Sequence, residues 1–176
     1  MSGLLFNMKK ILVALAIASL FSCSPGTKEI HVNNRYYITL PSEMKAVAGL
    51  NAQASLQQAD ESIPLYAVVV DESKEDMVKH DLDYDLDLYF NNIVSRNLIE
   101  SLSEVSIAEP VKEIIGGSPA YLLDVTGKAG AESIYYKLAI IETSSAFYQV
   151  MLWTTASKRE ELQPQMEEMA RSFREK

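Results

Sequence analysis

Four apolar segments follow one another between residues 105 and 155, and this succession constrains the fold more than any other feature. They run Val105–Ile115, Tyr121–Gly127, Glu132–Thr143 and Ala146–Thr155. The connectors are rich in turn residues: Gly116-Gly117-Ser118-Pro119, Gly127 to Gly130, and Ser144-Ser145. Segments of strand length punctuated in this way read as an antiparallel meander. In the third, Ile134, Tyr136, Leu138 and Ile140 recur at every second position, which is the period of a strand with one face buried. Adjacent aromatics such as Tyr135-Tyr136 must point to opposite faces, one to the core and the other beneath a helix or along a groove.

The half before the meander mixes strand and helix signals. Glu29–Val32 and Arg35–Leu40 flank Asn33-Asn34, and asparagine tolerates the positive φ of a tight hairpin turn. Pro41 closes the second arm. A strand is expected near Gln53–Ala59 and another at Leu65–Asp71, where Ala67-Val68-Val69-Val70 is apolar on both faces and so suits a covered, central position. Ser73 with Asp76 three residues on marks a capped helical turn over 74–79. The main helix is expected from Tyr84 to Leu102, with Leu86, Tyr89, Phe90, Ile93, Val94 and Leu98 on one broad face and Asn97 interrupting it. The chain closes with a second helix. Ser157-Lys158-Arg159-Glu160 has the form of a capping box, and Leu162, Met166, Met169, Ala170 and Phe173 form an amphipathic stripe. Pro164 predicts a kink or a second start. Strands, helix, four strands and helix make an α+β chain, an antiparallel sheet covered by two main helices.

The N-terminal residues give an address. Lys9 and Lys10 precede an apolar run from Ile11 to Phe21, too short to span a bilayer and of signal-peptide form. It closes on Leu20-Phe21-Ser22-Cys23, which resembles a lipobox, with Phe21 bulkier than the residue usual at that place. Translation starting at Met1 or at Met8 gives the same mature protein. Residues 1–22 are thus expected to be a lipoprotein signal peptide, 23–28 a lipidated cysteine and tether, and 29–176 one globular domain. Cys23 is the only cysteine, so no disulfide forms within the chain, and thioether linkage to lipid accounts for the thiol. Acyl chains there would anchor the protein to a membrane. Ser24 resembles a sorting residue for the outer rather than the inner membrane, with the domain facing periplasm or cell surface.

Charge narrows the partners. The formal charge is −8 for the whole chain; losing two lysines and no acids with the leader makes it −10. Such a domain repels phosphate backbones and anionic headgroups, which argues against nucleic-acid binding and leaves membrane attachment to the lipid.

Several short stretches, in this order of elements, resemble the PsbP-like superfamily and its bacterial lipoprotein branches of the DcrB and LpqN kind. These are Tyr37-Ile38-Thr39-Leu40-Pro41 after the hairpin, Gly116-Gly117-Ser118-Pro119-Ala120-Tyr121 between strands, Tyr148-Gln149-Val150-Met151 in the last strand, and Ser172-Phe173 at the end. The resemblance covers residues 29 to 175 and implies a PsbP-like α/β/α sandwich. It also implies a non-catalytic binding or assembly role toward an envelope protein. Its motifs are packing and turn signatures, so they assign no functional residue.

Chemistry-bearing patterns are few. Asp81, Asp83, Asp85 and Asp87 stand at alternate positions and are candidates for calcium. An EF-hand loop counted from Asp81 would need glycine and glutamate where Leu86 and Asn92 stand. The other reading is that these acids begin a helix, whose dipole favours them, or form an acidic surface for a partner. His31 and His80 lie in no ligand spacing, and there is no G-x-S-x-G. The Gly116-Gly117-Ser118-Pro119 stretch lacks the lysine of a phosphate loop, and Pro119 has no amide to donate. No catalytic residue, resident metal or cofactor is expected. A small-ligand or calcium binder is the alternative function, and a hydrolase built on two converging carboxylates a more distant one.

Overall fold

A computed structural model describes residues 26–176, and within them every side chain except those of residues 93, 98 and 99. Cys23, the expected leader and its lipobox-like ending lie outside the described residues. β1 (Thr27–Val32) and β2 (Tyr36–Pro41) pair antiparallel across the Asn33-Asn34 turn. Both asparagines have positive φ, 47° and 58°, and Arg35 N–H donates to the Val32 carbonyl at 2.9 Å. That is the mirror-image turn whose twist matches a hairpin. β1 starts two residues before the expected domain boundary.

After the two-residue β3 (Lys45–Ala46) come β4 (Leu56–Asp60) and β5 (Leu65–Ser73). α1 (Lys74–Lys79) is capped by the Ser73 hydroxyl, which accepts from Asp76 N–H. The expected main helix is three pieces: α2 (Leu86–Tyr89), a π-helical turn over Phe90–Val94, and α3 (Ser95–Ser101). The expected first strand of the meander is two. β6 (Ser103–Ile107) and β7 (Val111–Ile115) are separated at Pro110, which has no amide hydrogen to give the neighbouring strand. Gly116 and Gly117 alone make the next turn, and Ser118 and Pro119 already belong to β8 (Ser118–Ala129). β9 (Glu132–Glu142) and β10 (Ala146–Thr155) follow as expected.

The capping box does not form. A 3₁₀ turn, Ala156–Lys158, takes up Ser157, whose hydroxyl pairs with Thr155 Oγ1 at 3.0 Å. α4 (Arg159–Arg171) starts after it and runs through Pro164 as one helix, with no second start. β11 (Arg174–Glu175), invisible in the pattern, adds to β2.

Among the described residues the strands make two antiparallel sheets. The larger has the order β3-β4-β5-β10-β9-β8-β6, with β7 also on β8, and the smaller is β1-β2-β11. The Ala67–Val70 run lies between β4 and β10 with every residue at most 5% exposed, as a covered strand requires. One face of the large sheet packs Ala67, Val69, Leu122, Ala139, Val150 and Leu152 against α4 and the hairpin. The other packs Leu123, Leu138, Ile140 and Phe147 against Met77, Leu86, Tyr89, Phe90 and Val94 of the helices. The result is an α/β/α sandwich with the small sheet lying in the α4 layer.

Candidate functional site

Four rungs cross the middle of the helix-facing side of the sheet. Registers of β5, β10 and β9 align Glu72–Phe147–Glu142, Val70–Gln149–Ile140, Val68–Met151–Leu138 and Tyr66–Trp153–Tyr136. The helices close over the first rungs only. The last rung stays half-buried, with Trp153 stacked on Tyr66 at 5.1 Å and against Tyr136 at 5.7 Å. Between the middle rungs and α3 lies a cavity of about 170 Å³. Val70, Val94, Leu138, Ile140 and Met151 give it apolar walls; Asn51, Gln53, Asn97 and Ser101 bring polar groups to its edge.

Its floor is a hydrogen-bonded trio. Glu72 Oε1 accepts from Tyr89 Oη at 3.0 Å and from Gln149 Nε2 at 3.2 Å, and Gln149 Nε2 also donates to Tyr89 Oη at 2.7 Å. Tyr89 is fully buried, its ring stacked on Phe147 at 4.1 Å. Burial, then the adjacent Glu72 carboxylate, push the Tyr89 hydroxyl far above its ordinary pKa, so it stays neutral, donating to Glu72 and accepting from Gln149. Glu72 and Glu142 flank Phe147 symmetrically, but their partners differ. Glu142 accepts from Lys74 Nζ at 2.6 Å and from Leu86 N–H at 2.9 Å. Among the described residues no lysine or arginine pairs with Glu72.

The helix above is built for this arrangement. The π turn inserts one residue and shifts the phase of the helix beyond it, and such turns cluster at functional sites. Val94, Asn97 and Ser101 then share the side facing the cavity. Asn97, which breaks the apolar stripe in sequence, thereby has a place: it faces the cleft and not the core.

The acidic run lies elsewhere. Asp81, Asp83, Asp85 and Asp87 are all exposed and diverge. Asp85 caps α2, accepting from Leu88 N–H at 2.8 Å. Asp87, in the first turn of α2, accepts from the Tyr121 hydroxyl and pairs with Lys112 Nζ at 2.9 Å. Those contacts hold its carboxyl below the usual range, the tyrosine first. Two of the four acids thus serve the helix start, and among the described residues no three His, Cys, Asp or Glu side chains converge as a metal would need. His31 stacks on Tyr37 and pairs with Glu29, and His80 caps the end of α1. Neither lines the cleft. Trp153, one of the aromatics concentrated in the strands, and Gln149, a glutamine inside an otherwise apolar strand, carry a signal along the chain, whereas Glu72 carries none.

This framework has known counterparts. The solution structure of the cyanobacterial PsbP protein CyanoP from Synechocystis matches at a TM-score of 0.65 and 13% identity, covering 89% of this chain and 99% of that one. LpqN of Mycobacterium tuberculosis, described as involved in cell envelope biogenesis, matches at 0.57 and 11%, over 85% and 90% of the two chains. The Pseudomonas aeruginosa protein PA94, of unknown function, matches at 0.54 and 13%, over 83% and 94%. The fold is PsbP-like. No family model and no curated protein matches the sequence. At these identities the PsbP-like likeness establishes architecture and carries no functional residue across.

Proposed function

We propose that this PsbP-like domain is a non-catalytic binding or assembly factor that engages another envelope protein, anchored to the membrane through lipid on Cys23. The observation that carries the reading is the helix-side cleft with its open aromatic rung. Half-buried tryptophan and tyrosine with a polar rim are what recognition surfaces use, since they offer large, stiff contact area at low entropic cost. The polar lining of the cleft is amides, the Ser101 hydroxyl and one carboxylate, with the neutral Tyr89 phenol hydrogen-bonded behind Glu72. LpqN, a structural counterpart, is described in connection with the cell envelope, which agrees with the lipobox-like ending at Cys23. Within the envelope, Ser24 favours the outer membrane.

The test is crosslinking in intact cells, with mass spectrometry of what is captured by the native protein, by Cys23→Ala and by Trp153→Glu. The expected result is one partner captured reproducibly by the native chain and lost in both variants. Equal capture by Trp153→Glu would sink the cleft as the interface. Metabolic labelling with a palmitate analogue tests the anchor separately: label should be absent from Cys23→Ala.

A further inference from the structure

We infer that the helix-side cleft takes the cationic end of a partner's lysine or arginine side chain, with Glu72 as its counter-ion; this rests on the binding reading above and specifies its chemistry. The cavity of about 170 Å³ is well short of the roughly 300–1,000 Å³ that encloses a whole small-molecule ligand, so it suits a single side chain. Its walls and its floor want different things. Val94, Leu138 and Met151 offer an apolar channel, which fits a methylene stem. At the bottom, the Glu72 carboxylate receives two neutral donors and, among the described residues, no lysine or arginine, whereas its counterpart across Phe147, Glu142, receives Lys74. A half-buried carboxylate with only neutral donors gains more from an incoming ammonium or guanidinium than from any neutral group. Gln149 holds Glu72 in place from the adjoining strand, so the acceptor is preorganised.

The mouth adds a second attraction. The Tyr66–Trp153–Tyr136 rung lies two residues along each strand from the cavity wall, about 7 Å. Aromatic faces there draw a cation before it is desolvated. The formal charge of −10 after loss of the leader attracts a basic partner from further off. Charge, apolar stem and aromatic entrance all select the same side chains.

Trp153 is the only tryptophan, so its fluorescence reports on this mouth alone. The mature chain would be titrated with Nα-acetyl-arginine amide and Nα-acetyl-lysine amide, with the uncharged analogues Nα-acetyl-citrulline amide and Nα-acetyl-norleucine amide, and with cadaverine. Saturable change with the cationic amides is expected, at least tenfold weaker with the uncharged pair. Glu72→Gln should weaken the cationic probes at least tenfold. Asn97→Leu, an exposed change on α3 that narrows the cavity, should do the same without touching the buried trio. Equal response to charged and uncharged probes, or no response to any, overturns the inference while leaving a partner found by crosslinking untouched. Cadaverine binding more tightly than the lysine amide overturns the side-chain occupant in favour of a free amine. Loss of the crosslinked partner reading with the probe result intact would overturn the assembly role instead.

Discussion

Removing the Asp124 carboxylate should destabilise the fold more than removing the lysine it pairs with. Lys137 projects from β9 beneath α4 with its side chain only 7% exposed, ion-paired to Asp124 of β8 and 3.8 Å from Glu167 of α4. Asp124 is the hub. It also accepts from Tyr135 Oη at 2.9 Å, Arg159 Nη2 at 3.2 Å and Gln163 Nε2 at 3.4 Å. Asp124→Leu leaves the Lys137 ammonium under the helix with one distant carboxylate, and stranding a buried charge costs about 3–5 kcal/mol. Lys137→Met withdraws one donor from a carboxylate that keeps three others, a loss of about 1.5–3 kcal/mol. At about 2–4 °C per kcal/mol for a domain of this size, Asp124→Leu should lower Tm by roughly 6–20 °C. The double variant removes both charges and should be more stable than Asp124→Leu alone, because an apolar pair replaces a stranded ion. Urea unfolding followed by Trp153 fluorescence and circular dichroism gives all three values. A double variant less stable than Asp124→Leu, or a Lys137→Met penalty larger than that of Asp124→Leu, would refute the hub.

Three further expectations test other parts of the molecule. Gly116 and Gly117 both have positive φ, but a Cβ at Gly116 would meet the Phe173 carbonyl oxygen at 2.7 Å, whereas at Gly117 it meets nothing. Gly117→Ala should therefore cost about 1 kcal/mol and Gly116→Ala clearly more, read from urea midpoints. Tyr36 is 1% exposed, and burial raises its hydroxyl to about 12 against the ordinary 10.0. The stability this represents is complete below pH 10 and is lost as pH rises through about 12; alkaline unfolding should be steeper in the native protein than in Tyr36→Phe. Asp87 runs the other way: its depressed carboxyl contributes above the unfolded value of about 3.9 and loses that contribution as pH falls further. Carboxyl NMR titration should place its midpoint below that of a free aspartate, and Tyr121→Phe should move it up.

Local signals survived into the structure where one segment decides its own shape. The Asn33-Asn34 turn needs only two residues that accept positive φ, and α4 needs only its stripe, since Leu162, Met166, Met169 and Ala170 are all buried. Signals failed where a neighbour decides. Pro110 marks a break within Val105–Ile115, but nothing in that segment shows that β8 takes pairing from both pieces, and nothing within Arg174-Glu175 shows that β2 offers an edge. Ser157 and Glu160 are spaced for a capping box, yet the 3₁₀ turn that brings α4 onto the sheet uses the serine first. Alternation in β9 sets Lys137 opposite its apolar row, as though toward water. Its burial is intelligible only once Asp124 is known to stand beside it on the paired strand. The cleft was hidden for the same reason: Gln149 and Trp153 stand out along their strand, but Glu72 joins them only in register.

The two faces of the large sheet consequently treat charge in opposite ways. Beneath α4 the carboxylate of Asp124 is neutralised from within, by Lys137 and Arg159, and the layer is closed. Beneath the π turn the carboxylate of Glu72 meets, among the described residues, only neutral donors, and the layer stops short of the aromatic rung. Isosteric neutralisation should separate the roles. Glu72→Gln exchanges charged for neutral hydrogen bonds, a loss of about 1 kcal/mol, and relieves a half-buried charge, so its unfolding midpoint should lie close to the native one. Asp124→Asn loses the partner of a buried cation and should unfold well before it. If Glu72→Gln proved the less stable of the two, the Glu72 carboxylate would be part of the scaffold, and the contrast between a sealed face and a recognition face would fail with it.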